Sequence, residues 1–316
     1  MKKKDVIYVA GHKGLVGSAI FDLLKNKGFE NIIVKDSNEL DLRNQNDVND
    51  FFSKNKIDYV FLAAAKVGGI AANNKYKADF IYDNLSIQSN VIHSSFVYKV
   101  KKLLFLGSSC IYPKDSIQPI KEDFLLNGTL EPTNEPYAIA KIAGIKMCEA
   151  FNKQYNTNYL CLMPTNTYGP NDNYDLLDSH FFPALIRKAH ECKIKGKKSI
   201  EVWGSGKPLR ELIFVDDIAD ACIYFMNKKI KETLINIGTG IDYSIKDYVK
   251  LFLKILIPNK KINIKFDNLK PNGTPRKLLD VKLAKKYGWE FKTNLKDAIL
   301  TTFKDYTLEK NKKKIS

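Results

Sequence analysis

The sequence predicts an α/β fold in which a doubly wound parallel sheet is followed by a smaller α/β C-terminal lobe. Three observations carry this. Short apolar runs alternate with helix-length segments through the first half of the chain, which is the signature of a parallel sheet covered on both faces. A glycine-rich turn joins the first run to the first helix. Past Tyr168-Gly169-Pro170 the texture changes, and turn-rich stretches (171–175, 204–208, 271–275) break up shorter elements.

The elements follow in order. Val6 to Ala10 is an apolar run closed by Gly11, and the periodic helix from Val16 to Asn26 stops at Gly28. Further strands are expected at Ile32–Val34, Tyr59–Ala65, Leu103–Gly107 and Tyr159–Met163, separated by helices near 45–54, 78–98 and 137–155. Helix 216–227 and strand Leu234–Ile237 again look like sheet-building elements. The expected division is therefore a first domain over 1–170 with a return segment at about 211–240, and a lobe made mainly of 171–316. The lysine-rich end, Lys310 to Lys314, is expected to fray.

Composition narrows the function. A chain of 316 residues with 44% hydrophobic content can bury a sizeable core, so disorder is excluded. No stretch reaches the roughly 18 apolar residues of a membrane helix, and the Lys2-Lys3-Lys4 start is no signal peptide, so a soluble, cytoplasmic protein is expected. Five widely spaced cysteines without a CxxC pair support neither a disulfide framework nor a metal site. The net charge of +16 would suit nucleic acid, a membrane surface or an anionic substrate. It is unevenly spread: residues 1–180 hold 21 basic and 20 acidic side chains, and 181–316 hold 30 and 15. Of the basic residues 47 are Lys and four are Arg, at 43, 187, 210 and 276, so most of the excess reads as compositional drift. Arginine kept against that drift has a use for its planar fork.

Gly11-His12-Lys13-Gly14-Leu15-Val16-Gly17 sits at the first strand–helix junction. Glycines there let backbone approach a pyrophosphate, and the helix N-terminus supplies N–H donors, as in a Rossmann-type dinucleotide site. The second strand ends Val34-Lys35-Asp36: Lys35 with Lys13 favours the extra phosphate of NADP, and Asp36 favours the free ribose of NAD. The reading leans to NADP(H). Asp41 and Leu42 follow as an adenine-edge contact, with a helix N-cap as the alternative for Asp41. Tyr137 and Lys141 share one helical face at i and i+4, where a cation can make a phenol a usable proton donor. Ser108, at the end of the fourth strand, can bond the same carbonyl oxygen.

Together these features resemble the extended short-chain dehydrogenase/reductase superfamily. More narrowly, Leu62-Ala-Ala-Ala-Lys-Val-Gly-Gly-Ile70, Gly107-Ser-Ser-Cys-Ile-Tyr-Pro113, Glu131-Pro-Thr-Asn-Glu-Pro-Tyr137, Met163-Pro-Thr-Asn166 and Pro275-Arg-Lys-Leu-Leu-Asp280 are similar to the GDP-L-fucose synthase family, over about residues 5–305. The resemblance implies a reductase trio of Ser108, Tyr137 and Lys141, which reduces the 4-keto group of a GDP-4-keto-6-deoxy sugar. It implies an acid–base pair, Cys110 and His180, that first inverts carbons 3 and 5. It implies NADP(H) contacts at Ala63, Ala64 and Ala65, at Pro164 and Asn166 by the nicotinamide, and at His180. GDP-sugar contacts are implied at Arg187, Lys188, Trp203, Arg210 and Lys277, besides Ser108 and Asn166, with Arg276 as either a ligand or a lobe-to-lobe bridge. A homodimer through the helices near 78–98 and 137–155 is implied as well.

The stretch from Asn171 to Asp178 departs from the family in composition, which leaves open a GDP-4-keto-6-deoxyheptose 4-reductase with little or no epimerase activity. A nucleotide-sugar dehydratase would carry an acidic pair where Ser109-Cys110 stands. A non-catalytic nucleic-acid-binding relative would have lost one of the catalytic residues, and all are present.

Overall fold

The computed structural model describes residues 1–176, 179–270 and 272–315. Asp178, the end of the stretch that departs from the family in composition, and Pro271, the start of a turn-rich segment, lie outside the described residues. In chain order the first half runs β1 (Ile7–Ala10), α1 (Leu15–Asn26), β2 (Ile32–Ile33), α2 (Gln45–Lys54), β3 (Tyr59–Leu62), α3 (Ile70–Lys75), α4 (Lys77–Val97), β4 (Lys102–Leu106), α5 (Glu135–Tyr155), β5 (Tyr159–Pro164) and β6 (Asn166–Tyr168). It continues with α6 (Phe181–Lys195), β7 (Ser199–Trp203), β8 (Leu209–Phe214), α7 (Val215–Asn227), β9 (Leu234–Ile237), β10 (Asp242–Ser244), α8 (Ile245–Leu256), β11 (Asn263–Asp267), β12 (Arg276–Lys277), α9 (Lys282–Lys286) and α10 (Leu295–Ile315).

Six strands form one parallel sheet in the order β2-β1-β3-β4-β5-β9, the doubly wound arrangement that the alternating pattern predicts. Its strands are buried on both faces, so successive residues feed opposite cores. Tyr8, Val60, Phe105 and Met163 pack with α2, α4 and α5, while Ile7, Val9, Phe61 and Leu104 pack with α1 and α7. A third core, around Tyr168, Phe182, Tyr248 and Phe252, holds α6, α8 and α10 together. Beside it stand the sheet β10-β8-β12, with β6 paired to β8, and the two-stranded β11-β7.

The order of the sheet decides where the chemistry sits. β1, β3, β4 and β5 are parallel neighbours, so the residues that follow them emerge along one edge. That edge carries Gly11, Ala63 to Ala65, Ser108 and Asn166.

Two local expectations need correction, and one helix is unannounced. The third strand, expected to reach Ala65, stops at Leu62; Ala63 still donates its N–H to the Ala10 carbonyl, and pairing with β1 ends there. Helix α3 has no apolar periodicity to announce it. The expected fraying from Lys310 is absent in the backbone, where α10 stays helical to Ile315.

Candidate active site

The turn after β1 is packed so tightly that only glycine fits. Gly11 has φ +87°, and a Cβ on it would lie 2.6 Å from the Ala64 nitrogen. A Cβ on Gly17 would lie 2.0 Å from the Gly11 carbonyl oxygen. The Gly14 N–H donates to that same carbonyl at 3.0 Å, and Gly14 caps α1 without any side-chain bond. The first N–H groups of α1, at Leu15, Val16 and Gly17, therefore face outward with a helix dipole behind them. Ala64 and Ala65 border the turn, half-buried. A shaped backbone cradle at a helix N-terminus fits a dinucleotide pyrophosphate.

At the end of β2 the acidic and basic residues have sorted themselves. Lys13 Nζ lies 2.5 Å from Asp36 Oδ2, and Asp36 Oδ1 accepts the N–H groups of Asn38 and Glu39. Lys13 and those N–H groups hold the Asp36 carboxyl below its usual range. Lys35 pairs with Glu39 at 2.8 Å. The carboxylate that would read a free ribose is thus satisfied internally, and two ammonium groups stand beside it, a set that fits a 2′-phosphate. Asp41 is gripped by Arg43, whose guanidinium also reaches Asp83 at 3.3 Å. The N-cap of α2 is Asn44, so the alternative reading of Asp41 as a cap is wrong. Leu42 packs against the core beside it.

The groups that follow β4 converge with α5. Ser108 caps a short 3₁₀ turn over 109–111, and its hydroxyl accepts the Cys110 N–H at 3.4 Å. Tyr137, half-buried in the first turn of α5, stands beside Ser108; burial and then Cys110 push its pKa up, and Ser108 opposes them. Lys141 is buried, and its Nζ donates to the Leu106 carbonyl at 2.8 Å while lying 4.7 Å above the Phe105 ring and 5.8 Å from the Tyr137 ring centre. Burial brings its pKa down to about 8. Cys110 is 7% exposed. Burial raises its thiol pKa, and Lys277, Ser108 and Lys141 pull it back.

The second lobe brings its own groups to the same place. His180 is the N-cap residue of α6 and keeps an exposed face. Protein packed around it, and then the Lys277 charge, hold the imidazole pKa below its usual value. Lys277 on β12 stands opposite Arg210 on β8 in parallel register, and loss of water lowers its pKa, with Cys110, Arg210 and Glu131 as its charged neighbours.

Arg210 donates to the carbonyls of Leu209 and Thr274 at 2.7 and 2.6 Å, and to Asn272 at 3.1 Å. Among the described residues no carboxylate pairs with it, and burial brings its pKa down to about 10. That is a fixed, desolvated cation suited to a phosphate. Trp203, half-buried at the end of β7, has Lys270 over its ring at 5.2 Å.

Other candidates are engaged by protein groups. Arg187 is taken by Glu191 and by the Tyr174 carbonyl, and Lys188 donates to the Glu201 carbonyl at 2.9 Å. Arg276 is a bridge inside the lobe, holding Asp242 through Nε at 2.6 Å and Nη2 at 3.2 Å. Asn166 Nδ2 donates to the Glu211 carbonyl, and Pro164 ends β5 in register with Ile237. Glu211 escapes notice in the sequence, although a carboxylate within the apolar run Leu209–Phe214 is itself a signal that something buried must satisfy it.

Comparison with known proteins agrees with this geometry. The NAD dependent epimerase/dehydratase family matches residues 7–238. "Putative GDP-L-fucose synthase 2" of Arabidopsis thaliana is 51% identical over 306 residues, 97% of this chain and 93% of the relative. GDP-L-fucose synthase of Escherichia coli K12 is 48% identical, covering 95% of this chain and 96% of the relative. Among solved structures, a GDP-mannoheptose C4 reductase from Campylobacter jejuni with NADP bound superposes with TM-score 0.87 at 43% identity, over 97% of this chain and 99% of that one. The chain belongs to the NAD dependent epimerase/dehydratase family, in its GDP-L-fucose synthase branch.

Proposed function

We propose that the protein is an NADPH-dependent oxidoreductase that reduces the 4-keto group of a GDP-4-keto-6-deoxy sugar after inverting carbons 3 and 5. What supports this is that Ser108, Tyr137 and Lys141 neighbour Cys110, and that Lys277 acts on both Cys110 and His180. When bound, NADPH supplies the hydride. Gly11 to Gly17 hold its pyrophosphate, Lys13 and Lys35 its 2′-phosphate, and Pro164 and Asn166 border its nicotinamide end. The GDP diphosphate lies against Arg210 and Lys277, with Trp203 packing on the nucleotide.

Tyr137 gives its hydroxyl proton to the carbon-4 oxygen as negative charge develops there, and Ser108 donates to the same oxygen. The Lys141 ammonium stabilises the phenolate left behind. Carbons 3 and 5 are acidified by the neighbouring ketone, so one member of the Cys110–His180 pair removes a proton from one face while the other returns one to the opposite face. The coarse parts, a nicotinamide enzyme acting on a GDP-sugar, draw on the curated relatives and the NADP-bound structure. The division into a cofactor domain and a sugar-binding lobe belongs to the same proposal. So does a homodimer through α4 and α5, which leave Tyr82, Val97 and Tyr155 exposed. No described helix is long and apolar enough to cross a membrane, which suits a cytoplasmic location.

A second reading, reduction of a GDP-4-keto-6-deoxyheptose without inversion, is favoured by the Campylobacter jejuni reductase. Incubation with NADPH and either the hexose or the heptose substrate, followed by NMR of the product, separates the two. Inversion at carbons 3 and 5 supports the first reading, reduction alone supports the second, and no NADPH consumption with either overturns both.

A further inference from the structure

A small, partly enclosed chamber lies behind Cys110. It runs from the buried Cys110 past Tyr112, Glu131, Gln118 and Lys277 to the exposed Lys114, and has room for about one water molecule. Tyr137 and His180 are not among its walls. We propose that Glu131 is a proton relay between Cys110 and bulk water, which restores the thiol's protonation state between successive inversions. This rests on the reading that the protein inverts carbons 3 and 5.

The need for a relay follows from proton counting. Each inversion changes the proton count on Cys110 by one and that on His180 by one in the opposite sense, whichever of them acts as base. A second inversion in the same sense requires both to be reset. His180 keeps an exposed face and can exchange with solvent, whereas Cys110 is almost wholly buried, and a bound sugar would cover its remaining access from the cleft. The chamber is the other route.

Glu131 is built for that task. Its Oε2 accepts the Thr133 N–H at 3.1 Å and the Thr133 hydroxyl, which fixes the carboxylate at the entrance to α5. Its Oε1 has no protein hydrogen-bond partner among the described residues, and Glu131 belongs to the chamber wall. Lys277 has both Cys110 and Glu131 as charged neighbours, so a positive charge attends either anion of the relay. Of the other two cations of the wall, Arg276 is neutralised by Asp242 and Lys114 is exposed to solvent. When Cys110 must lose a proton, Sγ–H gives it to chamber water, the water passes a proton to Oε1, and the carboxyl releases it to bulk at the Lys114 end. When Cys110 must gain one, the steps reverse. No electrons move and the water is regenerated. Glu131 touches no reacting atom and acts through Cys110.

The test uses the full chain with NADP⁺ in place of NADPH and the GDP-4-keto-6-deoxyhexose in D₂O, with deuterium at carbons 3 and 5 followed by NMR. Wild type should exchange at both carbons. Glu131→Gln keeps an acceptor for Thr133 but no titratable group, and should slow multiple-turnover exchange about a hundredfold. Oxidation of the 4-hydroxy product by NADP⁺, which does not use Cys110, should stay within about twofold of wild type. In Glu131→Ala, added formate should restore exchange as its concentration rises, a rescue that a structural role would not show. Wild-type exchange in Glu131→Gln overturns the relay and leaves the epimerase reading standing. Absence of exchange in wild type overturns both. If Glu131→Gln no longer binds NADP⁺, the formate series on Glu131→Ala decides, and failure of rescue there counts against the relay.

Discussion

Glu211 Oε2 accepts the backbone N–H of Leu279 at 2.9 Å, and Oε1 takes those of Thr239 and Gly240 at 2.7 Å each. One fully buried carboxylate therefore ties β8, the turn after β9 and the segment after β12 together. Its own carbonyl receives Asn166 at 3.0 Å and Thr165 at 3.3 Å, which adds the end of β5. Gly238 permits this approach, since a Cβ there would lie 2.3 Å from Oε1. This side chain thus helps hold the Arg210–Lys277 pair against the large sheet.

Glu211→Gln would point an NH₂ group at one of these N–H donors. Unfolding in urea should show a loss of about 2 kcal/mol, the cost of a buried donor left unmatched. KM for the GDP-sugar should rise more than kcat falls, because the cations shift relative to the reacting groups.

Gly17→Ala places a methyl 2.0 Å from the Gly11 carbonyl oxygen, which is backbone and cannot swing aside. We expect destabilisation of at least about 2 kcal/mol and loss of NADPH binding, measured by thermal unfolding and by fluorescence titration.

Lys13→Ala removes one of the two ammonium groups at the end of β2 and frees Asp36. NADPH should bind about tenfold more weakly, with NADH affinity unchanged or improved. Equal losses for both nucleotides would refute the assignment to the 2′-phosphate.

Tyr137→Phe keeps the packing against Phe80 and loses only the hydroxyl. Reduction should fall by at least about a hundredfold while the GDP-sugar binds with near-normal affinity, since the lost proton acts in the transition state. Single-turnover NADPH oxidation reads this directly.

Lys141 gives a stability signature with a defined sign. Its pKa falls from 10.5 in the unfolded chain to about 8 in the fold, so the unfolded state binds the proton more tightly and stability rises with pH through that window. Lys141→Met removes the penalty of about 3 kcal/mol that the buried charge imposes below pH 8. The advantage of the Met variant over wild type in denaturant unfolding should be full at pH 7 and shrink towards pH 10.5.

Local chemistry is legible where a single residue's type decides the outcome. Gly28 has φ +74° and closes α1 as its sequence position demands, and all five cysteines are free and buried, as small apolar side chains without a pairing motif should be. Helix α3 was not legible because its sequence, Ile-Ala-Ala-Asn-Asn-Lys, has no apolar face; Asn73 holds it instead, donating to the Gly68 and Gly69 carbonyls. Glu131 reads in sequence as a loop residue before a helix, and only folding places it beside Cys110.

The sequence by itself determined the doubly wound sheet, the glycine cradle and the identity of the groups at the strand ends, because alternation, turn chemistry and strand polarity are properties of neighbouring residues. The tertiary structure decided which cations carry a carboxylate partner. Lys13, Lys35, Arg187 and Arg276 do, so a phosphate at Lys13 and Lys35 would share them with Asp36 and Glu39, whereas among the described residues Arg210 donates to carbonyls alone. The net charge of +16 could not tell these apart, since a charge's availability depends on which carboxylates the fold brings within a few ångströms of it and on how much water the fold removes.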